Sequence, residues 1–194
     1  MSASQLTLHD RPASVLYYLD HFQSALHWLQ ERYGDLISDE QSAFIREFGR
    51  LPCSSQALLV RLIMRRGQHF RASKINYPEI GSIARAFGPL IELQWIDPRP
   101  QLLIEELVKL MTRAELTELF TELPASVSKA QAQTLLRAAH TERRQFEKWR
   151  GNASEPVYMV NVATLCTQFR LLFFGNFRQE WPEFVLADLG IFRY

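Results

Sequence analysis

The sequence predicts a mainly α-helical protein with few short strands, and three observations carry that expectation. Apolar residues recur three and four apart through most of the chain, the repeat that lines one side of a helix. Ser38–Gln41, Thr112–Glu115 and Ser128–Gln131 each place a hydroxyl three residues before a Glu or Gln, the capping box that opens a helix. Strand-like alternation is confined to runs as short as Phe70–Ser73.

Taken in order, Val15, Leu19, Phe22, Leu26, Leu29 and Tyr33 outline a first amphipathic helix, closed by Gly34. Tyr17, Tyr18 and Trp28 add aromatic bulk expected in a core or interface. The second helix starts at Ser38, carries Phe44, Phe48 and Leu51, and stops at Pro52, which has no N–H to continue it. Ala57–Arg66 is predicted as the third, capped by Ser54 or Ser55. Its Leu58, Leu59, Leu62 and Ile63 would face a core, while Arg61 and Arg65, four apart, share the opposite side. Gly67 is placed to end it in the left-handed conformation. Asn76-Tyr77-Pro78-Glu79 combines an N-cap, an early proline and a capping glutamate, so another helix is expected there. Gly88-Pro89 sets a proline at a further first turn, and Trp95-Ile96 is a candidate strand. Short helices joined by brief extended pieces make a winged helix over residues 56–100.

From Gln101 the chain reads as short helices: Leu103, Leu107 and Leu110, then Leu116, Leu119, Phe120 and Leu123, then Leu135 and Leu136. Thr141–Arg150 mixes Arg143, Arg144, Lys148 and Arg150 with Glu142 and Glu147, as a mixed-charge helix end does; a second DNA-facing patch is the alternative. Gly151–Ser154 is expected to be a loop, Val162, Leu165, Phe169 and Leu172 to line an apolar helix, and Glu183–Leu189 to form the last helix. The expected units are 1–55, 56–100, 101–140 and 141–194.

Composition narrows the function classes. With 47% hydrophobic and 22% charged residues in 194, the chain is a soluble globular protein. Cys53 and Cys166 form no C-x-x-C pair, which argues against a disulfide scaffold or zinc site and fits a reducing interior. No secretion signal is evident, and no apolar run approaches the roughly 18 residues of a membrane span. His21 and His27 are six apart and share no helix face, so neither is read as a metal ligand. G-x-S-x-G, G-x-x-x-x-G-K and G-x-G-x-x-G are all absent. The net charge of +1 hides an uneven distribution. Ala57–Arg85 holds Arg61, Arg65, Arg66, Arg71, Lys74 and Arg85 against Glu79 alone, a local charge of +5 between two acidic stretches. Such a cluster on a helix–turn–helix suits a phosphate backbone. Arg61, Arg65, Arg66, Arg71 and Lys74 are therefore the candidate phosphate contacts, with Tyr77 or His69 at the sugar edge.

The stretch LLVRLIMRRGQHFRASKINYPEIG resembles the winged-helix segment of the bacterial Fanconi-anaemia-associated nuclease family, as do Tyr17–Phe22 and Phe184–Gly190. The short helix, connector and short helix that follow look like a SAP module, in which Lys129 would meet a phosphate; Ser128 stands where that module usually has glycine. The resemblance implies a cytoplasmic, nucleoid-associated DNA-repair protein that meets double-stranded or branched DNA, such as 5′ flaps, in interstrand-crosslink repair. It also implies downstream helical-repeat and nuclease domains, the latter cutting with Mg²⁺ or Mn²⁺.

A nuclease module of that class needs an Asp followed at a distance by an acid-x-Lys triplet, whose carboxylates hold the metals that activate water. No Asp or Glu in this sequence has a lysine two positions later. The chain is thus expected to be the front portion of such a nuclease, binding DNA without cutting it and using no cofactor of its own. Two alternatives stay open. One is a helical interaction module whose basic face meets an acidic protein; the other is a metal-dependent nuclease complete in itself. The apolar residues after Pro156 suggest a surface made for missing domains, which would leave the chain prone to dimerise.

Overall fold

The computed structural model describes residues 15–124, 126–151, 155–176, 178, 179 and 181. The expected last helix at 183–189, the similar stretch Phe184–Gly190 and most of the expected loop at 151–154 lie outside the described residues.

Helices dominate. α1 (Tyr17–Tyr33) and α2 (Asp39–Arg50) form where the apolar repeat predicts them. α1 buries Leu19, Phe22, Leu26 and Leu29, whereas Val15 precedes the helix and is exposed. α2 opens with the full capping box: Gln41 N–H donates to Ser38 Oγ and the Gln41 side chain accepts from Ser38 N–H. α3 (Cys53–Ile63) departs from expectation at both ends. It starts directly after Pro52 with no side-chain cap, so Ser55 and Gln56 lie inside it and are buried. It ends at Ile63, which leaves Arg65 and Arg66 in the turn beyond. Nor is it a surface helix with one greasy side. Ala57, Leu58, Leu59, Val60 and Leu62 are all 0% exposed, because neighbours pack on it from several directions. Each such leucine contributes about 2–3 kcal/mol of burial.

Two further expectations fail locally. Asn76–Glu79 does not open an α-helix: Pro78–Ile80 is a single 3-10 turn, ended by Gly81 at φ +78°. α4 (Ile83–Glu92) starts instead at Ser82, whose Oγ accepts from Arg85 N–H, and it runs straight through Gly88-Pro89. A proline near the end of a helix forfeits one backbone bond, and the burial of Ala86, Phe87 and Leu90 on the same helix outweighs it.

β1 (His69–Arg71) and β2 (Ile96–Asp97) lie near the expected positions, followed by β3 (Gln101–Leu102). Then come α5 (Ile104–Leu110), α6 (Arg113–Leu119), α7 (Lys129–Ala139), β4 (Arg144–Gln145) and α8 (Phe146–Arg150). The capping boxes at Thr112 and Ser128 open α6 and α7 as the sequence implies. Leu135 was expected inside and is exposed; Leu136 is buried. β5 (Val157–Val160) precedes α9 (Ala163–Phe174) and has no counterpart in the sequence reading. It is the central strand of the sheet β1-β5-β2, antiparallel to both neighbours, with Phe70 opposite Tyr158 and Ile96 opposite Val160. All four of its residues are apolar, and Val157 and Val160 are buried. The second sheet is the pair β3-β4.

Two separate apolar cores result. One gathers side chains of α1 to α4 and α9. The other gathers α5 to α8 and includes Phe146 and Trp149. β5 is shared: Val160 belongs to the first core and Val157 to the second. The sticky surface expected after Pro156 does not appear among the described residues. There Leu165, Cys166, Phe169 and Phe174 are buried, and Leu172 and Phe173 pack on the first core. No helix among the described residues is long and apolar enough to cross a membrane.

Candidate nucleic-acid interface

The structure divides the cationic cluster into groups held by acids and groups left facing outward. Arg61, on α3, donates from Nε to Glu79 Oε1 at 2.9 Å and lies over the Tyr18 and Tyr77 rings, 3.9 Å and 5.4 Å from their centroids. Arg71, on β1, is more fully enclosed, at 7% exposure. Its Nη1 donates to both oxygens of Glu115 at 2.7 and 2.9 Å, and its Nη2 donates to Glu155 at 2.6 Å. Both guanidinium groups were expected to meet phosphate. Both are instead paired with carboxylates, and at Arg71, which is buried and engaged by two acids, the charge is not available to a ligand. Burial would raise the Glu115 carboxyl, but the Thr112 N–H and Arg71 outweigh it and hold it down at about 2. Glu155 is lowered for the same kind of reason: Arg71 and the Ser73 N–H outweigh its burial.

What faces outward is the turn after α3. Gly67, at φ +90°, gives the turn a conformation that side-chain-bearing residues seldom adopt. Arg65 is exposed yet fixed: Nη1 donates to the Lys74 carbonyl at 3.0 Å and to the Tyr77 hydroxyl at 3.4 Å, and its guanidinium sits 4.8 Å from the Phe70 ring centroid. None of these partners is acidic, so its charge is uncompensated. Arg66 and the Lys74 ammonium are exposed and make no ion pair or side-chain hydrogen bond among the described residues. Tyr77 is thus a brace between Arg61 and Arg65.

The turn is a ridge between two open clefts. One, of about 610 Å³, is lined by Arg65, Arg66, Gln68, Arg170 and Trp181 among others. The other, of about 510 Å³, is walled by Arg66, Gln68 and His69 on one side and by Glu106, Lys109 and Leu110 of α5 on the other. Lys129 lies beside the end of α5, its Nζ donating to the Lys109 carbonyl at 3.4 Å. His69 Nε2 is buried without a hydrogen-bond partner, and burial pushes the imidazole pKa down, with Glu106 opposing and Arg143 and Lys109 reinforcing.

Lys109 was not among the sequence candidates. It stands in a stretch with seven acids against three cations, and only folding brings it opposite Arg66. The basic residues 143–150 do not form a free patch. Arg143 donates to the Gln101 carbonyl at 3.0 Å, Arg144 pairs with Glu142, and Arg150 reaches Glu115 at 3.3 Å. Among the described residues no three His, Cys, Asp or Glu side chains gather as a metal site would require. Glu115 and Glu155 come together around a guanidinium and cannot also serve a cation. No chemical step through Mg²⁺ or Mn²⁺ follows for these residues.

Residues 16–97 match the family model described as "FAN1, HTH domain", and residues 101–149 the one described as "Fanconi anemia-associated nuclease SAP domain". The Fanconi-associated nuclease 1 homolog of Pseudomonas aeruginosa is 44% identical over 180 residues, covering 92% of this chain and 32% of that protein. The homolog of Oryza sativa subsp. japonica is 27% identical over 201 residues, covering 95% of this chain and 20% of that protein. A crystal structure of paFAN1 bound to 2nt 5′flap DNA with gap is similar at a TM-score of 0.86 and 43% identity, over 95% of this chain and 34% of that one. A second, with a 1nt flap, gives a TM-score of 0.84 over 93% of this chain and 34% of that one. The chain thus spans about a third of the length of its bacterial relative and about a fifth of the plant one.

Proposed function

We propose that this chain, which belongs to the Fanconi-associated nuclease family and carries its HTH and SAP domains, grips the duplex arms of branched, 5′-flap DNA through the ridge after α3 and the cleft beside it. One observation carries the reading: Arg65 is held in place without an acidic partner, beside an unpaired Arg66, with Lys109 on the facing wall and Lys129 hydrogen-bonded to the Lys109 carbonyl. That is how a protein presents fixed positive charge to a sugar–phosphate chain at little ordering cost. The similar crystal structures of paFAN1 bound to 5′-flap DNA support the choice of ligand. Side chains of this kind position DNA and do not read its sequence. The metal-dependent cutting that the family name implies is assigned to parts of the whole protein other than these residues.

Arg65, Arg66, Lys74, Lys109 and Lys129 would make about five phosphate contacts, so log affinity should fall with log salt at a slope of about −4 to −5. Binding of a 5′-flap duplex by the wild type and by R65E/R66E, followed by electrophoretic shift across a salt series, tests this. The double variant should bind at least tenfold more weakly, with a slope about 2 units flatter. Equal binding by the folded double variant would remove the proposal, and no shift even at low salt would favour an acidic protein partner instead.

A further inference from the structure

The two apolar cores share no buried residue, so greasy packing does not by itself set the angle between the HTH and SAP units. Arg71 sits where they meet. It belongs to β1 of the HTH unit, yet it grips Glu115 in the first turn of α6 in the SAP unit and Glu155 immediately before the shared strand β5. The network closes on all sides. Thr112 N–H donates to Glu115 at 2.7 Å, Ser73 N–H to Glu155 at 3.0 Å, and Ala72 N–H to the Pro156 carbonyl at 2.9 Å. Arg150 adds a second cation on Glu115, and the Phe146 ring lies 5.5 Å from the Arg71 guanidinium.

A planar fork engaged by two carboxylates is directional: it holds only over a narrow range of angles and separations. Apolar contact can slide, and this cannot. Buried ion pairs of this kind stabilise little against an apolar replacement, and their better-attested role is to select one arrangement.

The cleft that carries Arg66 on one wall and Lys109 on the other lies between the same two units. We propose that Arg71 is a positioning residue. It locks the SAP unit against the HTH unit at the separation that lets both walls of the cleft meet one duplex arm. The inference rests on the preceding reading for its DNA consequence, but the lock itself does not depend on it. With the lock, the two walls bind as one; without it, the second wall contributes as a tethered site that must be ordered at the moment of binding.

Removing Arg71 alone would strand two partly buried carboxylates, so the test uses R71M/E115Q/E155Q. Glutamine at 115 still accepts the Thr112 N–H, and glutamine at 155 the Ser73 N–H. Cys53 is exposed and Cys166 buried, so one label goes on Cys53 in the HTH unit and another on A138C, at an exposed position of α7. Pulsed electron–electron resonance should give one narrow distance for the protein with Arg71 and a broadened or shifted distribution for the triple variant. Flap-DNA affinity should fall roughly tenfold, with a salt slope flatter by about 1–2, as Lys109 and Lys129 lose their register. K109Q/K129Q should then cost little more in the triple variant than it alone removes. An unchanged distance distribution in the folded triple variant overturns the lock, and a broadened one with unchanged affinity and slope overturns its role in binding. Failure of the protein with Arg71 to bind flap DNA would instead strike the preceding reading, leaving the distance measurement to decide the lock.

Discussion

The Arg61 guanidinium lies 3.9 Å from the centroid of the Tyr18 ring, tying α3 to α1 through the flat face of an aromatic. Together with its ion pair to Glu79, this makes Arg61 a structural cation. R61A is expected to destabilise the protein by about 2 kcal/mol, since it removes a cation–π contact and leaves Glu79 unpaired. That corresponds to a fall in Tm of roughly 4–8 °C for a chain of this size. Thermal unfolding checks the loss, while flap-DNA affinity of the folded variant should stay within about twofold. A large loss of affinity with no loss of stability would return Arg61 to the DNA-binding face.

Acid should loosen the Arg71 network. Glu115 titrates at about 2 in the fold against 4.5 when unperturbed, so its stabilisation is fully present above about pH 4.5 and is lost as pH falls from there toward 2. The shift corresponds to about 3 kcal/mol. Urea unfolding at pH 7 and pH 3 should show about 2 kcal/mol of that loss in the wild type and much less of it in R71M/E115Q/E155Q. Equal acid sensitivity in both would place the cause elsewhere.

His69 should couple DNA binding to pH in the opposite direction. Its folded pKa lies below 6.5 chiefly because of burial, so the folding stability it contributes is present above 6.5 and lost as pH falls through the lowered value. Glu106 and Asp97 favour the charged form, and Arg143 and Lys109 oppose it. A phosphate in the cleft would favour the imidazolium. Flap-DNA affinity should therefore rise several-fold between pH 7 and about pH 5.5 in the wild type, and the rise should be absent in H69Q, as read by fluorescence anisotropy. The same rise in H69Q would remove His69 from the interface.

Gln94 offers a stabilising change away from the interface. It sits at φ +58°, the position after the α4 C-cap, where Trp95 N–H closes back on the Leu90 carbonyl at 2.9 Å and Gln94 N–H on that of Ile91. Such a turn takes glycine at low cost and other residues at roughly 1 kcal/mol. Q94G should raise Tm by about 2–4 °C. A lower Tm would mean that contacts of the Gln94 side chain outweigh its backbone strain.

Much of this protein is determined by local sequence alone. The starts of α2, α6 and α7 follow from a hydroxyl and an amide or carboxylate three residues apart, because that interaction closes within one turn. The cationic cluster around Arg65, Arg66 and Gly67 is legible for the same reason, since neighbours in sequence stay neighbours in space, although the spacing puts both arginines in the helix and the fold puts them in the turn after it. Tertiary structure decided the rest. Arg61 and Arg71 carry the same side chain as Arg65 and Arg66, yet Glu79, Glu115 and Glu155 lie 18, 44 and 84 residues away from them, beyond the reach of spacing rules. Likewise β5 is a strand because two distant segments pair with it, and Lys109 faces Arg66 only once the elements that carry them are folded against each other. Whether a charge is free or spent depends on which groups surround it, and only the folded chain supplies them.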